Sequence, residues 1–372
     1  SALPAALESD IMPPWPPAAD CNELKYDRSL EPEHKQQIID WVEAGAREGD
    51  ASASAQVVAP TERAELARID HSLSLETGYT PTRYPDDYRC FVFEWPEEET
   101  TFVSGYQIVP DQVDQVHHLL AYLAPASSRD HYQALDDAEE GPGYTCFGGT
   151  EGPLSAGLGG WAPGSGAALM PADTGIEIPP GSLVILQMHY NTLFVEPKPD
   201  RTAFNVQIDY SVEREAIIQP WINPDWLDGD NMAIPAGQKS VSHSFSFIPG
   251  PFWSRITGGK IPDDSDVEIH SALHHMHLLG KSAKFQVIRA SGDDCLLEIP
   301  DWDFDWQDTY MFKEPIRLGA NDLLQIECEW DNSPENQPDL GDGPQPPRDL
   351  AWGEGSTDEM CFGTIMITRA VD

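Results

Sequence analysis

Ser240-Val-Ser-His-Ser-Phe-Ser-Phe247 alternates a serine with a larger side chain along its whole length. A period of two sets Val241, His243, Phe245 and Phe247 on one face and the serines on the other, as in a half-buried β-strand. Runs of similar texture lie on either side, broken by Pro, Gly and Asp: Arg89–Trp95, Leu183–Tyr190, Asn205–Tyr210, Ala283–Arg289 and Leu323–Trp330. No long helical pattern competes with them. The chain therefore reads as all-β: two successive antiparallel β-sandwich (jelly-roll-like) domains with a small N-terminal helical segment. The expected divisions are 1–55 for the N-terminal segment and linker, 56–212 for the first sandwich and 213–372 for the second. The boundary between the sandwiches falls near Val212–Ala216. Gly148–Gly166 and Asp331–Gly355 read as long functional loops.

The chain has 372 residues, with 22 basic against 63 acidic side chains and a net charge of −41; only eight are lysines. Such a charge repels phosphate backbones and anionic membrane surfaces, which excludes nucleic-acid binding. A hydrophobic content of 40%, with 11 Trp, 11 Tyr and 13 Phe, argues for packed cores and against disorder. A lysine-poor acidic surface suits a salt-rich, halophilic milieu, and equally an ordinary acidic secreted protein. Six cysteines, none at C-x-x-C spacing, point to disulfides and an oxidising compartment, periplasmic or secreted. No apolar run is long enough for a membrane span. The chain opens at Ser1 with no visible signal peptide, as a processed or trimmed chain does.

Eleven histidines are distributed in clusters. His117 and His118 are adjacent, His189 follows an apolar run, and His270, His274, His275 and His277 crowd together. Imidazoles among apolar strand residues need a partner, and neutral imidazole is a common ligand for Zn, Cu and Fe. On a strand His275 and His277 face one side, His274 and Met276 the other. Adjacent His117 and His118 diverge unless a bulge or strand end turns them together. A hydrogen-bonded core histidine is the plain alternative for any one of them.

These segments resemble the copper type II, ascorbate-dependent monooxygenases, the family of peptidylglycine α-hydroxylating monooxygenase and dopamine β-hydroxylase. The family's H-H-M motif is matched by His117-His118-Leu119, and its L-Q-V-H-Y segment by Leu186-Gln187-Met188-His189-Tyr190. The H-T-H-x-x-G motif is matched by His275-Met276-His277-Leu278-Leu279-Gly280, and the D-E-M-C segment by Asp358-Glu359-Met360-Cys361. The resemblance runs from about Gln56 to Thr368.

The resemblance implies two copper ions per chain, facing each other across a solvent-filled cleft. His117, His118 and His189 would hold the one that relays an electron. His275, His277 and Met360 would hold the one at which O2 is activated and a small-molecule substrate hydroxylated. Three imidazoles suit both copper oxidation states, whereas a thioether favours Cu(I). A zinc-bearing interaction protein is the competing class, but zinc has no redox chemistry and little use for a thioether. A catalytically silent copper-binding or electron-transfer module is the other alternative. The resemblance also implies disulfides Cys90–Cys146 and Cys328–Cys361; Cys21 and Cys295 then pair by elimination.

Where peptide-hydroxylating members hold a substrate carboxylate with Arg, Asn and Tyr, this chain has Leu273, Phe362 and Thr364. A C-terminal glycine peptide is thus an unsuitable substrate, unless Arg255 or Arg289 supplies another clamp. Residues 10–50 resemble the back half of a cytochrome c domain, with Met12 in the place of the axial ligand and a last helix over Ser29–Gly45. Trp15 and Trp41 would be its packing residues. The C-x-x-C-H attachment motif is missing, so no haem is expected in this chain. The reductant is accordingly ascorbate or a cytochrome domain.

Overall fold

The computed structural model describes residues 2–9, 11–12, 14–49, 64–154, 156–228, 230–339 and 343–371. Two helices come first, α1 (Ala2–Glu8) and α2 (Pro32–Glu43). Strands β1 (His71–Leu73), β2 (Asp86–Glu94), β3 (Thr101–Val109) and β4 (Val116–Ala124) precede helix α3 (Arg129–Asp137). Then come β5 (Tyr144–Thr145), β6 (Ala156–Trp161), β7 (Ala168–Leu169), β8 (Thr174–Ile178), β9 (Leu183–Asn191) and β10 (Ala203–Asp209). The later part holds β11 (Arg214–Trp221), β12 (Val241–Phe247), helix α4 (Trp253–Ile256), β13 (Val267–His275) and β14 (Gly280–Ile288). It ends with β15 (Asp294–Ile299), β16 (Tyr310–Leu318), β17 (Leu323–Trp330) and β18 (Phe362–Arg369).

Every run expected to be a strand is one, and the protein is all-β with two sheet-on-sheet cores. In the first half, β1-β10-β3-β8 faces β6-β4-β9-β2-β5. Leu119, Leu158, Ile176, Tyr190 and Phe204 lie fully buried between them. In the second half, β11, β18, β13 and β16 face the four-stranded β12-β17-β14-β15 sheet, around Trp253, Phe285, Ile326 and Trp330. Each such side chain contributes about 1.5–3 kcal/mol when removed from water.

The halves are joined through β11. It pairs with β18 over Ala216–Trp221, meets β8 at Arg214↔Thr174 and meets β6 at Ile218↔Gly157. The stretch expected to separate two sandwiches therefore stitches them into one continuous sheet.

Three local expectations are corrected. Gly148–Gly166 is not all loop: β6 runs through it, because glycine lets the Tyr106 ring press against Gly159, where φ is +140°. The N-terminal helix starts at Pro32 and stops at Glu43, without a side-chain cap from Ser29. Trp41 does not pack; it is 49% exposed, and Ile39 fills the buried place. The linker expected at the end of residues 1–55, where Ser and Ala alternate over Ala51–Ala55, lies outside the described residues.

The N-terminal segment instead clasps the second half through its other residues. Cys21 is bonded to Cys295, and Leu24 bridges to Phe312. Trp15 meets Tyr310 edge-on at 5.4 Å. Arg28 pairs with Asp308 at 3.0 Å and lies over the Trp306 ring. Met12 is exposed.

Candidate metal centre

The β4–β9 ladder slips between Val116 and His118, so one extra residue stands on β4 opposite β9. This bulge is what two adjacent histidines need to turn toward one point. His117 Nδ1 lies 3.2 Å from His118 Nδ1, which lies 3.4 Å from His189 Nδ1. One ring nitrogen from each of the three histidines falls within 4.8 Å of the others.

Asp86 explains the orientation of His189. A carboxylate can only accept, so His189 Nε2–H donates to Asp86 Oδ1 at 2.8 Å and leaves Nδ1 as the lone pair. Asn191 donates to the same oxygen. Burial pushes the Asp86 carboxyl up, but the hydrogen bonds from His189 and Asn191 outweigh it and hold it below its ordinary value. Tyr88 stacks on the His189 ring at 4.1 Å. Burial, then neighbouring imidazoles, lowers His117 to about 3 and drives His118 well below its ordinary value. These rings are therefore neutral, with nitrogen lone pairs turned together.

The second set is built at a strand end. His275 closes β13 opposite Phe362, and His277 follows just beyond the strand, tied to the Asp358-Glu359 segment that precedes Met360. His275 Nδ1–H donates to Gln307 Oε1 at 2.6 Å. The Gln307 amide is oriented in turn by donating to the Phe304 carbonyl. His277 Nδ1 meets the Asp358 carbonyl at 3.3 Å. Both rings thus leave Nε2 for a ligand. Burial first lowers His275 to about 4 and His277 further.

Glu359 is fully buried and accepts from the backbone N–H of His277 (3.0 Å) and Leu279 (2.6 Å) and from Trp330 Nε1 (2.8 Å). Burial pushes its carboxyl up to about 7, although these donors pull the other way. Next to it, buried Met360 is followed by Cys361, which is bonded to Cys328. Cys90 is bonded to Cys146, completing the three expected bridges.

Met276, the rival sulfur, sits in the core, and His274 stacks on Phe285 at 4.7 Å. Strand alternation thus sorts this cluster as expected. The solvent-filled cleft between the two sets does not appear. The His118 and His275 rings are 5.9 Å apart, and Phe304 stacks on His117 at 4.5 Å while reaching within 6.3 Å of His277. The loop that carries Phe304 and Gln307 closes the gap. Arg289 is held by Asp294 and Asp322, and neither it nor Arg255 approaches the histidines as a clamp.

The residues fit a metal. Two nitrogens about 2.0–2.1 Å from one ion at a tetrahedral angle stand roughly 3.3 Å apart, close to the separations of the first set. Asp86 and Gln307 escaped the motif reading, and Glu359, though inside the D-E-M-C match, was given no role there. The double acid Asp86-Asp87 at the start of β2 was the signal for the first of them.

No curated protein matches the chain. Two solved structures of infectious bursal disease virus show faint likeness. The Gx strain structure has 10% identity, covers 84% of this chain and 76% of its own, and has a TM-score of 0.22. The VP2 subviral particle has 11% identity, covers 83% and 75%, and has a TM-score of 0.17. Such scores bear on neither fold nor function. Residues 227–371, which carry His275, His277 and Met360, match the family model described as copper type II ascorbate-dependent monooxygenase, C-terminal domain.

Proposed function

We propose that the protein is a two-copper, O2-dependent monooxygenase that hydroxylates a C–H bond of a small organic substrate with electrons from an external reductant. The observation that carries this reading is the convergence of three imidazoles at metal-ligand separation, beside a second histidine pair. The family match over 227–371 supports it. His117, His118 and His189 would hold one ion, and His275, His277 and Met360 the other. Bound copper would supply one-electron redox chemistry, so that O2, two electrons and two protons yield hydroxylated product and water.

The chain's own residues set the stage for this. Asp86 and Gln307 fix opposite tautomers in the two sets, Glu359 ties the backbone of His277 to the Met360 segment, and Phe304 covers His117. Residues 56–212 and 213–372 would form the two copper-bearing units. Residues 1–55, similar to the back half of a cytochrome c domain, would be a docked accessory. Three disulfides suit a periplasmic or secreted protein, and no helix among the described residues is long and apolar enough to cross a membrane.

Elemental analysis of copper-reconstituted protein, followed by oxygen-electrode measurements with ascorbate, tests the reading. Two copper ions per chain and reductant-driven O2 uptake are expected. One copper, or tight zinc that copper cannot displace, would overturn it. Copper that cycles between oxidation states without O2 uptake would leave a silent copper-binding or electron-transfer module.

A further inference from the structure

Resting on that reading, the geometry points to the class of substrate: an uncharged, mainly apolar molecule held in the cavity lined by Leu273 and Phe362, the strand neighbours of His275. The cavity measures about 410 Å³ and opens between β4, β6, β11, β13 and β18, where the two halves meet.

Its walls continue the strand faces that present the histidines. Along β4, the period of two puts Leu120 and Tyr122 on the face of His118. Along β13 it puts Ser271 and Leu273 on the face of His275. All four line the cavity. Across the β13–β18 ladder, Phe362, Thr364 and Met366 stand opposite His275, Leu273 and Ser271, and line it too. The cavity wall thus reaches Leu273 and Phe362, the strand neighbours of His275, and a molecule lying along these faces extends toward the second histidine set.

Charge decides what that molecule is. Among the described residues no arginine lines the cavity, and the one cation there, Lys260, is bound by both Glu177 and Glu215. One ammonium against two carboxylates leaves the rim net negative, with no free counter-charge for an anion. A carboxylate or phosphate would lose its hydration without gaining a partner, which is costly. An ammonium ion would find carboxylates already occupied by Lys260, and deeper in only hydroxyls and apolar walls. A cavity of about 150 Å³ takes a benzene molecule, so this one accepts roughly fifteen non-hydrogen atoms.

The test is equilibrium dialysis of the full chain, copper-loaded and copper-depleted, with three probes of one shape: 4-phenyl-1-butanol, 4-phenylbutyrate and 4-phenylbutylamine. The alcohol should bind at least about tenfold more tightly than either ion, with or without copper. Gly157 offers a way to fill the space, since a Cβ there meets nothing closer than Ile218 at 3.6 Å. Gly157→Leu should weaken alcohol binding about tenfold while copper content stays unchanged. Leu273→Arg, which puts a cation in the wall, should reverse the preference toward phenylbutyrate. Equal or tighter binding of either ion by the unmodified chain would overturn the inference, as would no binding of any probe. Copper content, measured on the same samples, separates that failure from failure of the monooxygenase reading.

Discussion

The two histidine sets are neighbours, yet they are built in opposite ways. The first offers Nδ1, the nitrogen nearer the backbone, from a bulge one pair in from the end of the β4–β9 ladder. The second offers Nε2, the outer nitrogen, from a strand end, with its Nδ1 atoms bound to neutral carbonyl oxygens. An ion held at Nδ1 sits close to rigid sheet, whereas one held at Nε2 stands out toward the cavity. The difference suits a relay that must not move and a reaction centre that must meet a substrate. The two tautomers are set by side-chain acceptors, Asp86 for His189 and Gln307 for His275.

Removing a ligand should break the comparison most severely. His118→Ala is expected to lower copper content from two to one per chain and turnover by more than about 100-fold, the upper range for losing a mere supporting residue. Elemental analysis with O2 uptake measures both. Met360→Ala should weaken Cu(I) at the second set and leave Cu(II) at the first unchanged, as titration with a Cu(I) chelator would reveal; unaltered turnover would remove Met360 from the ligand set. Asp86→Asn should cost the first set roughly 10–100-fold in affinity without touching the second, and Gln307→Leu should do the converse.

His270 sharpens the comparison as a buried histidine outside both sets. Burial first, then Arg214 and Lys25, lowers it to about 4, against the opposing pull of Glu268. Its ring bonds Thr368 at 2.8 Å. The unfolded chain takes up this proton near pH 6.5, while the folded one does not until about pH 4. Stability is therefore full above pH 6.5 and falls as the pH drops toward 4, by at most about 3 kcal/mol from this residue. Urea melts of metal-free protein should show that loss, and His270→Gln should flatten it. Salt should act on both regions alike and least of all. With −41 net charge, the melting temperature should rise by a few degrees as screening shortens from about 30 Å at 0.01 M to about 3 Å at 1 M. A flat curve would mean the acids are already locally paired.

What could be read without coordinates follows from periodicity. Alternation separated His275 and His277 from His274 and Met276, and it required the bulge at His117-His118 that the ladder contains. The supporting residues were illegible for a physical reason. Asp86 reaches His189 through the β2–β9 register, and Gln307 reaches His275 from a loop, and neither relation has a local pattern. The closeness of the two sets was hidden likewise, because it depends on how β4 and β13 face each other after β11 joins the halves. Glycines misled in the other direction: a strand that must admit Tyr106 looks like a loop.

The clasp of the N-terminal segment has a bearing on modularity. Cys21 is tied to a cysteine 274 positions later, and Arg28 to Asp308, one residue from the glutamine that orients His275. The region matching the family model therefore holds every proposed ligand of its site without holding everything that positions them. Excised at 227–371, it would keep its histidines and its methionine, and lose the strap that anchors their loop. During synthesis the order runs the same way: Cys21 and Arg28 emerge well before Cys295 and Asp308 and wait for them. Residues 227–371 are thus an unfinished unit until the segment around Cys21 and Arg28 folds back onto them.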